Sequence, residues 1–220
     1  MDLDLTKATT NQIYNMLIGL VAPRPIAWIT SLDLDGKLNA APFSAFNYMG
    51  VDPPVVAVGV GNRPGSQIIG KDTARNIRNT GEFVINIVNE SVAEAMNICA
   101  VDFPPGINEL EIARLTTEPS LLVKVPRISE APASLECREI TTMEIGRTRV
   151  ILGRVVAVHV KDEFVDHAGP YIRADELHAV GRMNGLGSYV KTRDAFFHIT
   201  RMSHEDWLKK NNPDADNREG

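Results

Sequence analysis

Short apolar runs separated by turn residues dominate the first two thirds of the chain. Residues 26–31 are β-branched and aromatic, the composition of a strand. Residues 33–37 contain an Asp35-Gly36 step, a turn signal, because glycine takes positive φ without steric cost. Residues 39–48 resume the extended pattern, so the two runs predict a β-hairpin. Residues 55–60 form a continuous apolar stretch and read as a strand buried on both faces; residues 83–88 share that character. Residues 134–144 and 148–160 predict a longer strand pair joined near Gly146, the second valine-rich with alternating register.

Helical signals are fewer. Residues 73–79 follow Asp72, a good N-cap, and stop before Gly81, a good C-cap. Residues 91–100 open on Ser91 with Glu94 three positions on, the pattern of a capping box. Residues 109–114 and 204–210 predict two further short helices, the last capped by Ser203. The tail 211–220 is rich in Asn and Asp with almost no apolar residue and is expected to be disordered. Strands that do not alternate with long helices disfavour a doubly wound parallel sheet. They favour a mainly β fold, an antiparallel barrel with helices at its rim.

Composition changes this picture little. The 220 residues are ample for one hydrophobic core, and 44% apolar with 23% charged residues is ordinary for a globular protein. A net charge of -5 argues against a nucleic-acid partner, which needs a basic footprint. No apolar run reaches the roughly 18–20 residues of a membrane span. The N-terminus lacks the basic start and apolar stretch of a signal peptide, so the expected location is cytoplasmic. Cys99 and Cys137 fit no metal-ligand spacing and read as reduced, partly buried thiols. Asp162, Glu163, Asp166 and His167 read as a charged turn rather than a metal centre. Neither a complete GxGxxG fingerprint nor a GxxxxGK[ST] phosphate loop occurs.

Four segments carry candidate chemistry. In Gly70-Lys71-Asp72-Thr73-Ala74-Arg75-Asn76-Ile77 a lysine precedes a helix start, where unpaired amides and the dipole favour an anion; Thr73 adds a hydroxyl. In Pro23-Arg24-Pro25-Ile26-Ala27-Trp28-Ile29-Thr30-Ser31 the permanently charged Arg24 suits phosphate or carboxylate, and Thr30 and Ser31 offer hydroxyls at a strand end. In Asn39-Ala40-Ala41-Pro42-Phe43-Ser44-Ala45-Phe46-Asn47, Pro42 removes a ladder donor and implies a bulge or edge whose freed backbone can meet a flat ring. Phe43 and Phe46 face opposite sides if that run is fully extended. In Gly181-Arg182-Met183-Asn184-Gly185-Leu186-Gly187-Ser188-Tyr189 three glycines predict a flexible loop beside a planar ligand.

Taken in order, PRPIAWITS, NAAPFSAFN, KDTARNIRNTGEFVINIV and GRMNGLGSY resemble the flavin reductase-like family with the FMN-binding split-barrel fold. The resemblance implies a six-stranded antiparallel split barrel over residues 15–200, preceded by an extension (1–14) and followed by a C-terminal helix and tail (201–220). It implies a homodimer with FMN near the subunit interface. By position it places Thr30 and Ser31 near the flavin or its ribityl chain. Ser44, Ala45, Phe46 and Asn47 fall in the stretch whose backbone meets the ring, and Lys71, Asp72 and Thr73 at the phosphate. Arg24 and Tyr189 are further carry-overs. The last motif departs from the family's GRLGGxxY at Met183-Asn184.

The same resemblance implies hydride transfer from NADH or NADPH to FMN, with no side-chain acid or base required. His159, His167, His178 and His204 are the histidines weighed as proton donors, and His178 is expected near the nicotinamide or substrate pocket. Three other readings stay open: a flavoredoxin-like electron carrier reduced by a protein partner, a barrel binding another ligand, and metal-assisted hydrolysis. Electron acceptors compatible with the first reading include free FMN for a monooxygenase partner.

Overall fold

The computed structural model describes residues 2–62, 71–104, 107–169, 171–185, 187–193, 196–197, 199 and 201–211. Gly70, Leu186 and the tail from 212 onward, all part of the sequence reading, lie outside the described residues. In chain order the elements begin with α1 (Thr10–Leu20), β1 (Ala27–Leu32), β2 (Leu38–Phe43), β3 (Phe46–Val51), β4 (Pro54–Gly61), α2 (Asp72–Thr80) and β5 (Glu82–Asn86). Then come α3 (Ala93–Ile98), α4 (Glu109–Ile112), the short pair β6 (Thr117–Glu118) and β7 (Arg127–Ile128), and the long strands β8 (Ala133–Ile145) and β9 (Thr148–Val160). Two further short pairs, β10 (Val165–Asp166) with β11 (Tyr171–Ile172) and β12 (Val180–Arg182) with β13 (Tyr189–Lys191), precede α5 (His204–Asn211).

Seven strands form the main sheet in the order β2-β1-β5-β8-β9-β4-β3, and every pairing is antiparallel. The two ends of that order are neighbours in sequence, separated only by Ser44 and Ala45. The sheet therefore curls until its ends meet in one bent run, and the Gly59 amide donates to the Ala45 carbonyl across the corner at 2.7 Å. A Cβ on Gly59 would stand 3.0 Å from Ala45 Cβ, so a glycine is what lets the corner close. The main sheet has seven strands where the resemblance implies six, because the corner divides one bent run into β2 and β3. The continuous strand 39–48 of the sequence reading is thus corrected by a break at 44–45. The break also brings Phe43 and Phe46 to the same inner cluster, where a fully extended run would have pointed them apart.

The barrel interior is filled by Ala27, Ile29, Val56, Val58, Val60, Ile77, Phe83, Ile85 and Ile151. Ile26, Trp28 and Ala40 point the other way, into a second cluster with Val92, Met96 and Leu110 from around α3 and α4. β1 is buried on both faces, in keeping with the apolar residues 26–29; the hydroxyls of Thr30 and Ser31 are buried with them. β4 differs: Val56, Val58 and Val60 are buried while the alternate residues are only half-covered or exposed. This corrects the expectation of a strand buried on both faces. The β8–β9 hairpin turns at Gly146, where φ is 57°. Gly153 on β9 faces Phe83, and a Cβ there would lie 2.4 Å from its Cζ. Gly153→Ala is therefore expected to destabilise the fold by about 1–3 kcal/mol through overpacking, read as a lower midpoint in urea with unchanged slope.

Two helix signatures resolve differently. Glu90–Val92 forms a 3₁₀ turn, α3 begins only at Ala93, and the Ser91 hydroxyl donates to Asn89 Oδ1 in place of a capping box. A capping box does occur at Thr9 and Gln12, where it starts α1. The domain boundary read at residues 14/15 therefore falls inside a helix. Ser203 accepts from the Asp206 amide at the head of α5, as its sequence predicts.

Candidate functional site

α2 is fixed against the sheet by two side-chain amides. Asn76 Nδ2 donates to Ser31 Oγ at 3.2 Å, and Asn39 Nδ2 donates to Thr73 Oγ1 at 3.0 Å. Both hydroxyls are buried. They hold the helix so that its N-terminus opens beside β2. The helix ends at Gly81, in the left-handed conformation, with its amide on the Ile77 carbonyl. Its N-cap is Lys71, not Asp72, and no side chain caps it. The Asp72 carboxylate turns along the first turn to Arg75 at 2.5 Å. That pairing neutralises the one acid at the helix start, where the dipole is positive.

A cleft of 370 Å³ reaches Lys71, the N-cap residue of this helix. Phe43 and Ser44 from the β2–β3 corner, Lys71, Tyr14 of α1, and Arg182 and Tyr189 of the last strand pair are among its walls. Lys71 Nζ stands 5.7 Å from the Phe43 ring centroid. The Arg182 guanidinium stacks 4.6 Å from the Tyr189 ring centroid. Among the described residues none that lines the cleft is acidic. Neither Ser44 nor Ala45 belongs to a ladder pair; the Ala45 carbonyl is taken by the Gly59 amide, and Ser44 lines the cleft. Cationic and aromatic walls, with no carboxylate among the described lining residues, fit a planar aromatic ligand carrying a phosphate.

The structure brings Ser44, Lys71 and Tyr189 together in this cleft. Other residues singled out in the sequence go elsewhere. Thr30 is fully buried and its hydroxyl donates to the Pro126 carbonyl at 2.8 Å, so it has no donor left for a ligand. Ser31 and Thr73 anchor α2 and act on the cleft only through it. Phe46 packs against the barrel core, and Asn47 is exposed with its Oδ1 accepting from the Tyr48 amide. Arg24 turns its guanidinium to protein acceptors. Its Nη1 donates to the Ile18 and Val21 carbonyls at 2.6 and 2.7 Å, its Nη2 to the Met183 carbonyl, and its Nε to Ser44 Oγ at 3.4 Å. The guanidinium thus clamps the end of α1 to the glycine-containing loop and steadies the corner beside the cleft.

His178 does not line the cleft either. It sits at φ 48°, and its carbonyl accepts from the Glu90 amide. His159 pairs with the buried Glu136 at 2.5 Å. Among the described residues no group of three His, Cys, Asp or Glu is placed to hold a metal ion, and no helix is long and apolar enough to cross a membrane. Both cysteines are buried, and burial pushes the Cys99 thiol up to about 12. Tyr14 is a wall that sequence reasoning missed; the Thr9/Gln12 capping box is the signal that would have found its helix.

A family model described as flavin reductase like domain matches residues 20–176. A protein of Deinococcus radiodurans is 41% identical over 212 residues, covering 94% of this chain and 92% of its own length. The crystal structure of Pseudomonas fluorescens 2-nitrobenzoate 2-nitroreductase superposes with a TM-score of 0.82 at 36% identity, over 91% of this chain and 96% of that one. Nitrilotriacetate monooxygenase component B from Bacillus cereus gives a TM-score of 0.83 at 33% identity, over 90% of this chain and 98% of that one.

Proposed function

We propose, for a chain that belongs to the flavin reductase-like family and has its split-barrel fold, that the cleft binds FMN and that the protein is an NAD(P)H-dependent flavin reductase. The observation that carries this reading is Lys71, the N-cap residue of α2, on the wall of a cleft with aromatic walls and no acid among the described residues that line it. Lys71 and the first amides of α2 hold the phosphate: a full charge and the helix dipole act on the same group. The backbone at Ser44 and Ala45 meets the polar edge of the ring system, and Tyr189 stands beside it. Arg24 keeps that backbone in place through Ser44. FMN, when bound, would supply the redox chemistry of a hydride acceptor. The protein contributes binding, orientation and partial exclusion of water, so no side-chain acid or base is assigned.

Three further points belong to the same reading. The chain works as a homodimer in the cytoplasm: Tyr48, Met49 and Val51 on β3 and Ile140, Met143 and Ile145 on β8 leave apolar side chains exposed that a second copy would cover. The likeness to a monooxygenase component supports an oxygenase as one electron acceptor. The likeness to a 2-nitrobenzoate reductase supports a small aromatic acceptor as another.

The test is spectroscopic. The purified protein, loaded with FMN, should absorb near roughly 450 nm through the oxidised isoalloxazine. Anaerobic addition of NADH or NADPH should bleach that band, and free FMN in excess should then sustain nicotinamide oxidation. Bleaching by neither nicotinamide, with reduction only by a protein donor, would replace the reductase by an electron carrier.

A further inference from the structure

Lys71 is one of two cations on the cleft; the other, Arg182, is not needed for a phosphate at α2. Its backbone is fixed on both sides. The Arg24 amide donates to the Arg182 carbonyl at 2.9 Å and the Arg182 amide returns to Arg24 at 2.8 Å, while β13 pairs it with Tyr189. Gly181 beside it admits no Cβ, because one would lie 2.9 Å from Pro23 Cβ. The guanidinium therefore projects from a rigid strand pair. It lies over the Tyr189 ring, and its one hydrogen bond among the described residues runs from Nη2 to the Gly185 carbonyl at 3.2 Å. Arg75, Arg78 and Arg127 are each neutralised by a carboxylate at 2.6 Å or closer. Arg182 has no such partner there, and no acid lines the cleft beside it.

We propose that Arg182 determines which substrate enters: its free guanidinium edge pairs with the carboxylate of a single-ring aromatic acid. Arginine suits this role better than lysine. Its planar fork accepts a carboxylate through two parallel N–H bonds, and stacking on Tyr189 fixes the plane in which the acid must lie. A ring held in that plane continues the aromatic wall formed by Tyr189 and Tyr14. The inference rests on the flavin reading above and deepens it by naming the class of acceptor, an aromatic carboxylate.

Calorimetric titration with benzoate, and with neutral benzamide as its isostere, tests the assignment on the wild type, Arg182→Gln and Arg182→Lys. All three are used with and without FMN, and their folding is checked by thermal unfolding. The expected result is benzoate binding at least about tenfold tighter than benzamide in the wild type. Arg182→Gln abolishes that preference and Arg182→Lys restores part of it. FMN affinity is measured on each variant beside the acids, because Arg182 also lines the flavin cleft, and the benzoate-to-benzamide ratio is compared only among FMN-loaded proteins. Equal affinity for benzoate and benzamide in the FMN-loaded wild type, or an undiminished preference in Arg182→Gln, overturns the proposal. So does an Arg182→Gln variant that loses only NADPH affinity, which would give the guanidinium to a nicotinamide phosphate. Failure of every variant and the wild type to load FMN counts instead against the flavin reading.

Discussion

Replacing Lys71 with glutamate is expected to weaken FMN binding by at least about tenfold. A hydrogen bond to a charged group contributes about 1.5–3 kcal/mol, and each 1.4 kcal/mol is about a factor of ten in affinity. Reversal of charge adds repulsion from the phosphate to that loss. The helix itself should survive, because Lys71 makes no side-chain cap and α2 is anchored through Asn76, Thr73 and Ile77. Its glutamate replacement also sits well with the helix dipole, so stability should change little. Quenching of FMN fluorescence on titration measures the affinity, and thermal unfolding confirms the fold. Unchanged affinity would move the phosphate away from α2.

The second large effect lies far from the cleft. Glu136 on β8 has no exposed surface, yet it carries a carboxylate. Its oxygens accept from the amides of Leu121, Leu122 and Val123 at 2.5, 2.6 and 3.1 Å, and Oε1 also meets His159 Nε2 at 2.5 Å. One side chain therefore ties the 121–123 loop to two barrel strands. Burial alone would raise its pKa, but the three amides and His159 together outweigh burial and hold it below the ordinary carboxylate value. Glu136→Leu removes the acceptor and leaves three amides without a partner. The expected cost is about 3–5 kcal/mol, as for breaking a buried charged pair. For a chain of this length that corresponds to a fall of roughly 6–20 °C in Tm.

The same carboxylate gives a pH dependence of definite sign. A group whose folded pKa is depressed stabilises the fold fully above its unfolded value, about 4.3 for Glu. That contribution fades as pH falls below this value and through the folded pKa. Wild-type stability should therefore drop more steeply below about pH 4.3 than that of Glu136→Gln, which has no charge to lose. Urea midpoints measured between neutral and acid pH compare the two slopes, and parallel slopes would assign the loss to other carboxylates.

Local signals proved reliable where a local interaction decides the outcome. The β8–β9 pair needed only alternation and Gly146, and the Asp33 turn needed only a glycine with positive φ at 36 and an aspartate accepting from the Asp35 and Lys37 amides. The C-terminus of α2 followed from Gly81 in the same way. Positions whose side chains reach across the barrel were not legible. Nothing near Thr30 in sequence announces Pro126, and nothing near Arg24 announces Met183. Their polarity invited a ligand, while tertiary contacts had already satisfied it. The corner at Ser44 was half visible. Pro42 signalled an interrupted ladder, but closure depends on Gly59 meeting Ala45 from another strand. The cleft therefore could be named by its segments, while its wall from α1 required the fold.

A crystal structure of the protein soaked with FMN would locate the phosphate and the ring system. The account predicts phosphate oxygens within hydrogen-bonding distance of Lys71 Nζ and the opening amides of α2, with the ring system against the Ser44–Ala45 corner. Flavin bound at any other surface, with that helix end still open, would contradict it.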